Sequence, residues 1–206
     1  MAAKRREKRD PQQRKADILG AALALFAERG FAATRMEDVA IRAGIAKGTV
    51  YLHFPDKEAL FIELVSGIAS PILGEIEGLV QNEATQPRLA VSLFYALFRR
   101  EVLETERRHL LRLVLAEGPM FPGVTEFYHR EIISKGLGVL RILLHRAARR
   151  GELRNPAIAE VPQLVIAPAL MSIIWSTLFE RYEHLDTQKL FDTFLDTLFL
   201  PERAAQ

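Results

Sequence analysis

Cysteine is absent from the 206 residues. That removes disulfide frameworks, thiolate zinc sites and cysteine nucleophiles, and it suits a reducing compartment. No stretch alternates apolar and polar residues over the length of a strand. No Asn-Gly or Asp-Gly turn joins two apolar runs, so nothing announces a sheet. HExxH and other metal-ligand spacings are missing, as are G-x-S-x-G, the Walker A loop and the dinucleotide fingerprint, and the scattered carboxylates specify no acid–base pair. No metal, no cofactor and no enzymatic activity are therefore expected. The basic start MAAKRREKRD is followed by no apolar run before Ile18, which is unlike a secretory signal and gives the expectation of a cytoplasmic protein. The most apolar segment, residues 164–179, falls short of the roughly 20 residues of a membrane span and is interrupted by Pro168, so no membrane partner is expected.

What is present is ordinary in amount and uneven in distribution. Apolar residues make up 49% and charged residues 26%, the averages of globular domains that bury a proper core. The net charge is +2, yet residues 1–57 hold 12 Lys and Arg against 7 Asp and Glu, and the remainder hold 16 against 19. A first quarter at +5 and a remainder at −3 point to an anionic partner at the basic end. The run Lys4, Arg5, Arg6, Lys8 and Arg9 reads as a disordered arm over residues 1–11 that adds salt-sensitive phosphate attraction.

Apolar residues recur at helical spacing. Leu19, Ala22, Leu23 and Phe26 form one i, i+3, i+4, i+7 stripe, and Met36, Val39, Ala40 and Ala43 form another. Gly30 and Gly44 are placed to end these helices, Thr34 and Glu37 have capping-box spacing, and Asp56 is placed to cap the next helix. Three short helices thus fit before residue 57. Beyond it, prolines and glycines divide the chain into helices near 57–83, 88–116, 124–150, 157–184 and 187–199, with a kink at Pro71 and a break near Glu104. The fold class is all-α: a three-helix domain over 12–56 and a helical domain over 57–206.

Residues 34–54, TRMEDVAIRAGIAKGTVYLHF, read as a helix, a tight turn at Gly44 and a second short helix, the helix-turn-helix pattern. On 100° steps Ala46, Val50 and Phe54 lie within about 40° of one inward direction. Gly48, Thr49 and Leu52 then face outward, flanked by Tyr51 and His53. Such a face suits a major groove: Lys47 for a phosphate, Gly48 for close backbone approach, Thr49 for a hydrogen bond and Leu52 for a thymine methyl.

The string AGIAKGTVYLHFPDKEAL, with Phe26 before Gly30 and Thr34 before the second helix, resembles the DNA-binding signature of TetR/AcrR-type transcriptional regulators over residues 12–62. The resemblance implies that Thr34 caps the second helix while touching phosphate, that Lys47, Tyr51, His53 and Lys57 grip the DNA backbone, and that Thr49 and Leu52 face bases; Arg35, beside Thr34, is a further candidate for DNA contact. Ala46 departs from the family, which usually has Ser or Thr there to cap the recognition helix. The resemblance further implies a homodimer through residues 157–199, a roughly palindromic double-stranded operator, and a small apolar or amphipathic effector bound over residues 88–150. Phe94, Phe98, Met120, Phe121, Phe127 and Tyr128 are the aromatic and apolar candidates for that pocket, with Glu117 and His145 as polar anchors.

Apart from the resemblance, two other readings fit the residues. One is a helical small-molecule binding protein or enzyme whose basic N-terminus is incidental. The other is a DNA-binding organiser with no effector. Arg146, Arg149 and Arg150, just before Gly151, read as cations at the carboxyl end of their own helix.

Overall fold

The computed structural model describes residues 10–201; the basic run Lys4–Arg9 lies outside them. The chain folds as two units with their boundary between Leu64 and Val65. This is two helical turns later than the 56/57 boundary read from the caps, because Leu60, Phe61 and Leu64 at the start of the fourth helix are buried with the first three helices.

The first unit begins where the Asp10 carboxylate accepts from the Gln12 N–H, with Pro11 at the first helical position. Helix α1 (Pro11–Arg29) ends at Gly30 with φ 84°, and α2 (Met36–Ala43) ends at Gly44 with φ 67°, conformations that favour glycine. Helix α3 (Lys47–His53) follows after three residues. Along α1 the buried residues are Ile18, Ala21, Ala22, Leu25 and Phe26: the expected Ala22 and Phe26 are among them, while Leu19 and Leu23 are only half-buried and Ile18 and Leu25 take their place. Phe26, Phe31 and Phe61 pack as a trio with ring centroids 5.3–5.8 Å apart.

Asp56 caps α4 (Lys57–Gln81), its carboxylate accepting from the Ala59 N–H at 2.7 Å. The helix continues through Pro71 for ten more residues. By length and mean hydropathy (1.6) it is apolar enough to cross a membrane. Its apolar residues nevertheless have partners in the fold: Leu60 and Phe61 in the first unit, Ile76 and Val80 in a core cluster of the second.

The second unit continues with α5 (Pro87–Phe98), α6 (Arg108–Glu117), α7 (Pro122–Tyr128), α8 (Ser134–Arg149), α9 (Gln163–Leu178) and α10 (Thr187–Leu198). The expected break near Glu104 is a π-helical turn over Arg99–Leu103 followed by a bend, and a second π-helical turn over His129–Ile133 joins α7 to α8. Tyr95 lies at the centre of the main core. Its ring stacks on Phe191 at 4.4 Å, and its hydroxyl donates to the Val165 carbonyl at 2.6 Å. Burial pushes that phenol far above its ordinary pKa.

Two arginines before Gly151 cap a helix end that is not their own. Arg146, 8% exposed, donates to the carbonyls of Val80 (2.7 Å) and Asn82 (3.1 Å), and Arg150 donates to Glu83 (2.6 Å), so both hold the carboxyl end of α4. The expectation of self-capping is corrected for this pair, because the last carbonyls of α4 come within reach only through the packing of α8.

Candidate nucleic-acid interface and apolar cavity

Seven residues make α3 too short to bury more than a narrow stripe, and Val50 is that stripe at 0% exposure, followed by Phe54 at 3%. Lys47, Gly48, Tyr51 and Leu52, at i, i+1, i+4 and i+5, share the exposed side. Thr49 and His53 are half-buried at its margins, and Arg35 is exposed at the start of α2. Leu52 is 86% exposed, more than any other large apolar side chain among the described residues. Ile41 on α2 is also exposed, at 78%; it is absent from the candidates named from the sequence, although its place opposite Val39 and Ala40 marks it as outward.

Lys47 pairs with Glu37 at 2.5 Å, and its ammonium stands 5.8 Å from the Tyr51 ring. The hydrogen bond to Lys47 holds the Glu37 carboxyl below the usual carboxylate range. Ala46 is the N-cap of α3 and offers no side-chain oxygen to the first amides, as its departure from Ser or Thr requires. It is also exposed, where the 100° spacing turns it inward.

Thr34 and Lys57 are corrections. Thr34 does not cap α2; Arg35 occupies that position, and the Thr34 side chain is 1% exposed with its hydroxyl donating to Gly30 at 2.8 Å. A hydroxyl turned into the protein has no path to a phosphate. Lys57 donates to the carbonyls of Phe31 (2.5 Å), Ala32 (3.0 Å) and Thr34 (3.0 Å), and lies 4.5 Å from the Phe31 ring. Its three ammonium donors hold the turn between α1 and α2, whose carbonyls have no helical partner.

Residues 18–64, the stretch that contains this surface, match the model of "Bacterial regulatory proteins, tetR family". The first domain is thus similar to the tetR family over those residues. The chain is 36% identical over 85 residues to the HTH-type transcriptional repressor KstR2 of Mycobacterium tuberculosis, covering 41% of this chain and 42% of KstR2. The chain thus spans less than half the length of that relative. A weaker likeness runs nearly end to end: 26% identity to the HTH-type transcriptional regulator TtgR of Pseudomonas putida, over 95% of this chain and 96% of TtgR. NalD of Pseudomonas aeruginosa, described as the secondary repressor of a multidrug efflux pump, shares the fold with a TM-score of 0.75 at 21% identity, over 92% of this chain and 98% of its own.

The second unit encloses a cavity of about 150 Å³. Of the candidates named for an effector pocket, Phe94 and Phe98 from α5 and Tyr128 from α7 line it. The other candidates do not. Phe127 borders a separate, more polar cleft beside Glu131 and Lys135. Met120 is 62% exposed, Glu117 and Phe121 are half-buried away from the cavity, and His145 stands 3.9 Å from Glu160. They miss because residues one apart on a helix point about 100° apart, so of the neighbours Phe127 and Tyr128 only one faces in. Most of the wall is aliphatic, including Ile68, Ile72, Leu111 and Leu140, and such residues carry no sequence signal that separates a pocket from a core. Arg107, the one cation on the wall, is likewise absent from the candidates. From the sequence, Arg107 and Arg108 together read as a solvated face, and nothing in the residues separates the one that reaches the cavity from the one that does not.

Proposed function

We propose that this chain is a sequence-specific DNA-binding transcriptional regulator, a homodimeric repressor released by a small apolar or amphipathic effector. The observation that carries the reading is the exposed side of α3, a basic, aromatic and apolar surface on a helix narrow enough for the major groove of roughly 12 Å. Lys47, Tyr51 and His53, with Arg35 on α2, are the phosphate-positioning groups; Gly48, Thr49 and Leu52 approach base edges.

Helix α9 supports the dimer. One of its faces, Val165, Ala169 and Ile173, is buried in the core, while Leu164, Met171, Ile174 and Leu178 form an exposed stripe on another. Such a stripe is covered at low cost by a second copy, and twofold symmetry then requires a roughly palindromic operator. The exposed positions of α10 are mostly polar, among them Asp192, Thr193 and Asp196, so α9 supplies the apolar centre of the 157–199 interface. Effector in the cavity acts by preferring one of two states that differ in operator affinity. Cavity residues Ile68, Ile72 and Ile76 belong to α4, which by chain continuity also carries the last residues of the first unit.

The test is binding to DNA from upstream of the gene itself, across a salt series, with random DNA as competitor. A complex that survives the competitor and weakens with salt is expected. No binding at low salt overturns the reading, and equal binding to both DNAs points instead to an effector-independent organiser.

A further inference from the structure

The cavity of the second unit is walled by apolar side chains with two exceptions, and the exceptions are of one kind. Arg107 and Tyr128 alone present polar side-chain atoms among the residues lining it, and both are donors. Arg107 uses a single guanidinium nitrogen, Nη1, which donates to the Glu101 carboxylate at 2.8 Å and to the Glu101 carbonyl at 3.4 Å. Nε and Nη2 have no acceptor among the described residues. The Tyr128 hydroxyl has none either, and burial pushes its pKa up to about 12, so it remains a donor at any physiological pH.

Charge favours the same ligand. Glu101 is shared between Arg107 and Arg100, each at 2.8 Å, so the trio keeps one positive charge. Among the described residues no acidic side chain lines the cavity. A ligand oxygen in the cavity supplies an acceptor to donors that have none among the described residues. The size sets the rest: an apolar cavity of about 150 Å³ admits a body the size of one ring. Both polar groups stand beside helix interruptions, Arg107 after the turn Arg99–Leu103 and Tyr128 just before the turn His129–Ile133. The turns themselves add Val102, Ile132 and Ile133 to the wall. π-helical turns of this sort recur at ligand sites.

Resting on the effector reading above, we infer that the cavity selects a compact apolar carboxylate, its ring-sized body against the aliphatic wall and its acid group taken by the unused guanidinium nitrogens of Arg107, with Tyr128 as a second donor. The guanidinium presents two parallel N–H groups to a carboxylate, which an alcohol of the same shape cannot match.

Calorimetric titration of the full chain tests this with two matched pairs: phenylacetate against 2-phenylethanol, and cyclohexanecarboxylate against cyclohexylmethanol. Each acid is expected to bind at least tenfold tighter than its alcohol. Arg107→Met is expected to bring the acid down to the affinity of the alcohol and to leave the alcohol unchanged. Glu101→Gln, which releases Nη1, is expected to tighten the acid, so the inference is testable even if Arg107→Met misfolds. Equal binding of acid and alcohol, or a preference that survives Arg107→Met, overturns the inference and leaves the effector reading standing. Tight binding of the acid with no change in operator affinity does the reverse. No binding of any of the four overturns acid selectivity, whereas release of the operator by a neutral apolar compound in the same assay would preserve the effector reading.

Discussion

At Gly48 a Cβ would meet no atom within 4 Å, so nothing inside the protein requires glycine there, and alanine would favour the helix by roughly 0.5–1 kcal/mol. Under the proposed function, close approach of the DNA backbone is the role assigned to it. Gly48→Ala is accordingly expected to raise stability by about that amount in denaturant titration and to weaken operator binding; unchanged affinity would remove the close-approach role. Ala46 presents the opposite case, a missing group at the N-cap of α3. Ala46→Ser is expected to add about 1 kcal/mol of stability through a hydroxyl on the first free amides, and band-shift titration should show tighter binding. Leu52→Ala, at a side chain already 86% exposed, should leave stability within about 0.5 kcal/mol while flattening the preference at one base position in a randomised operator.

Helix ends are held from a distance in the second unit. The carboxyl end of α4 rests on Arg146 of α8, whose guanidinium donates to Val80 and Asn82 while nearly fully buried. Arg146→Met keeps the stem and removes the donors, leaving carbonyls without partners. It should lower the unfolding free energy by about 1–3 kcal/mol, read in urea at neutral pH. Helix α6 carries a pH dependence. His109 has its pKa lowered, chiefly by burial and then by Arg112 and Arg108. A lowered folded value means stability that is complete above the unfolded value, near 6.5, and is lost as pH falls through the folded one. His109→Gln should flatten the acid limb of the stability profile below that pH; an unchanged limb would assign it to other groups.

For the whole molecule the decisive feature is α9, apolar on a buried face and on an exposed one. Ile174→Glu places a charge in the exposed stripe without touching the core residue Ile173. Light scattering is expected to show a monomer with full helix content, and operator binding should fall to the non-specific level, since one recognition helix reads only half a palindrome. A variant that stays dimeric would move the interface elsewhere. The long helix α4 illustrates why composition and assembly must be read together. By length and hydropathy it qualifies as a span, yet its apolar side chains are divided between two cores and a cavity wall.

Periodicity, capping residues and glycine turns act over one to two helical turns, so the helices, their breaks and the outward side of α3 are legible in the residues alone. Asp56, Gly30 and Gly44 do what local chemistry requires of them. Contacts between segments distant in sequence are settled only when the helices pack. Packing turns the Thr34 hydroxyl back to Gly30, gives Lys57 to the carbonyls of 31–34, and sets Arg146 and Arg150 on another helix. It also separates cavity from core: Phe94, Phe98 and Tyr128 reach the same space as Arg107, whereas Phe127, one residue away, does not. No periodicity distinguishes these, since an apolar side chain is written the same way whether it meets a neighbour or an empty volume.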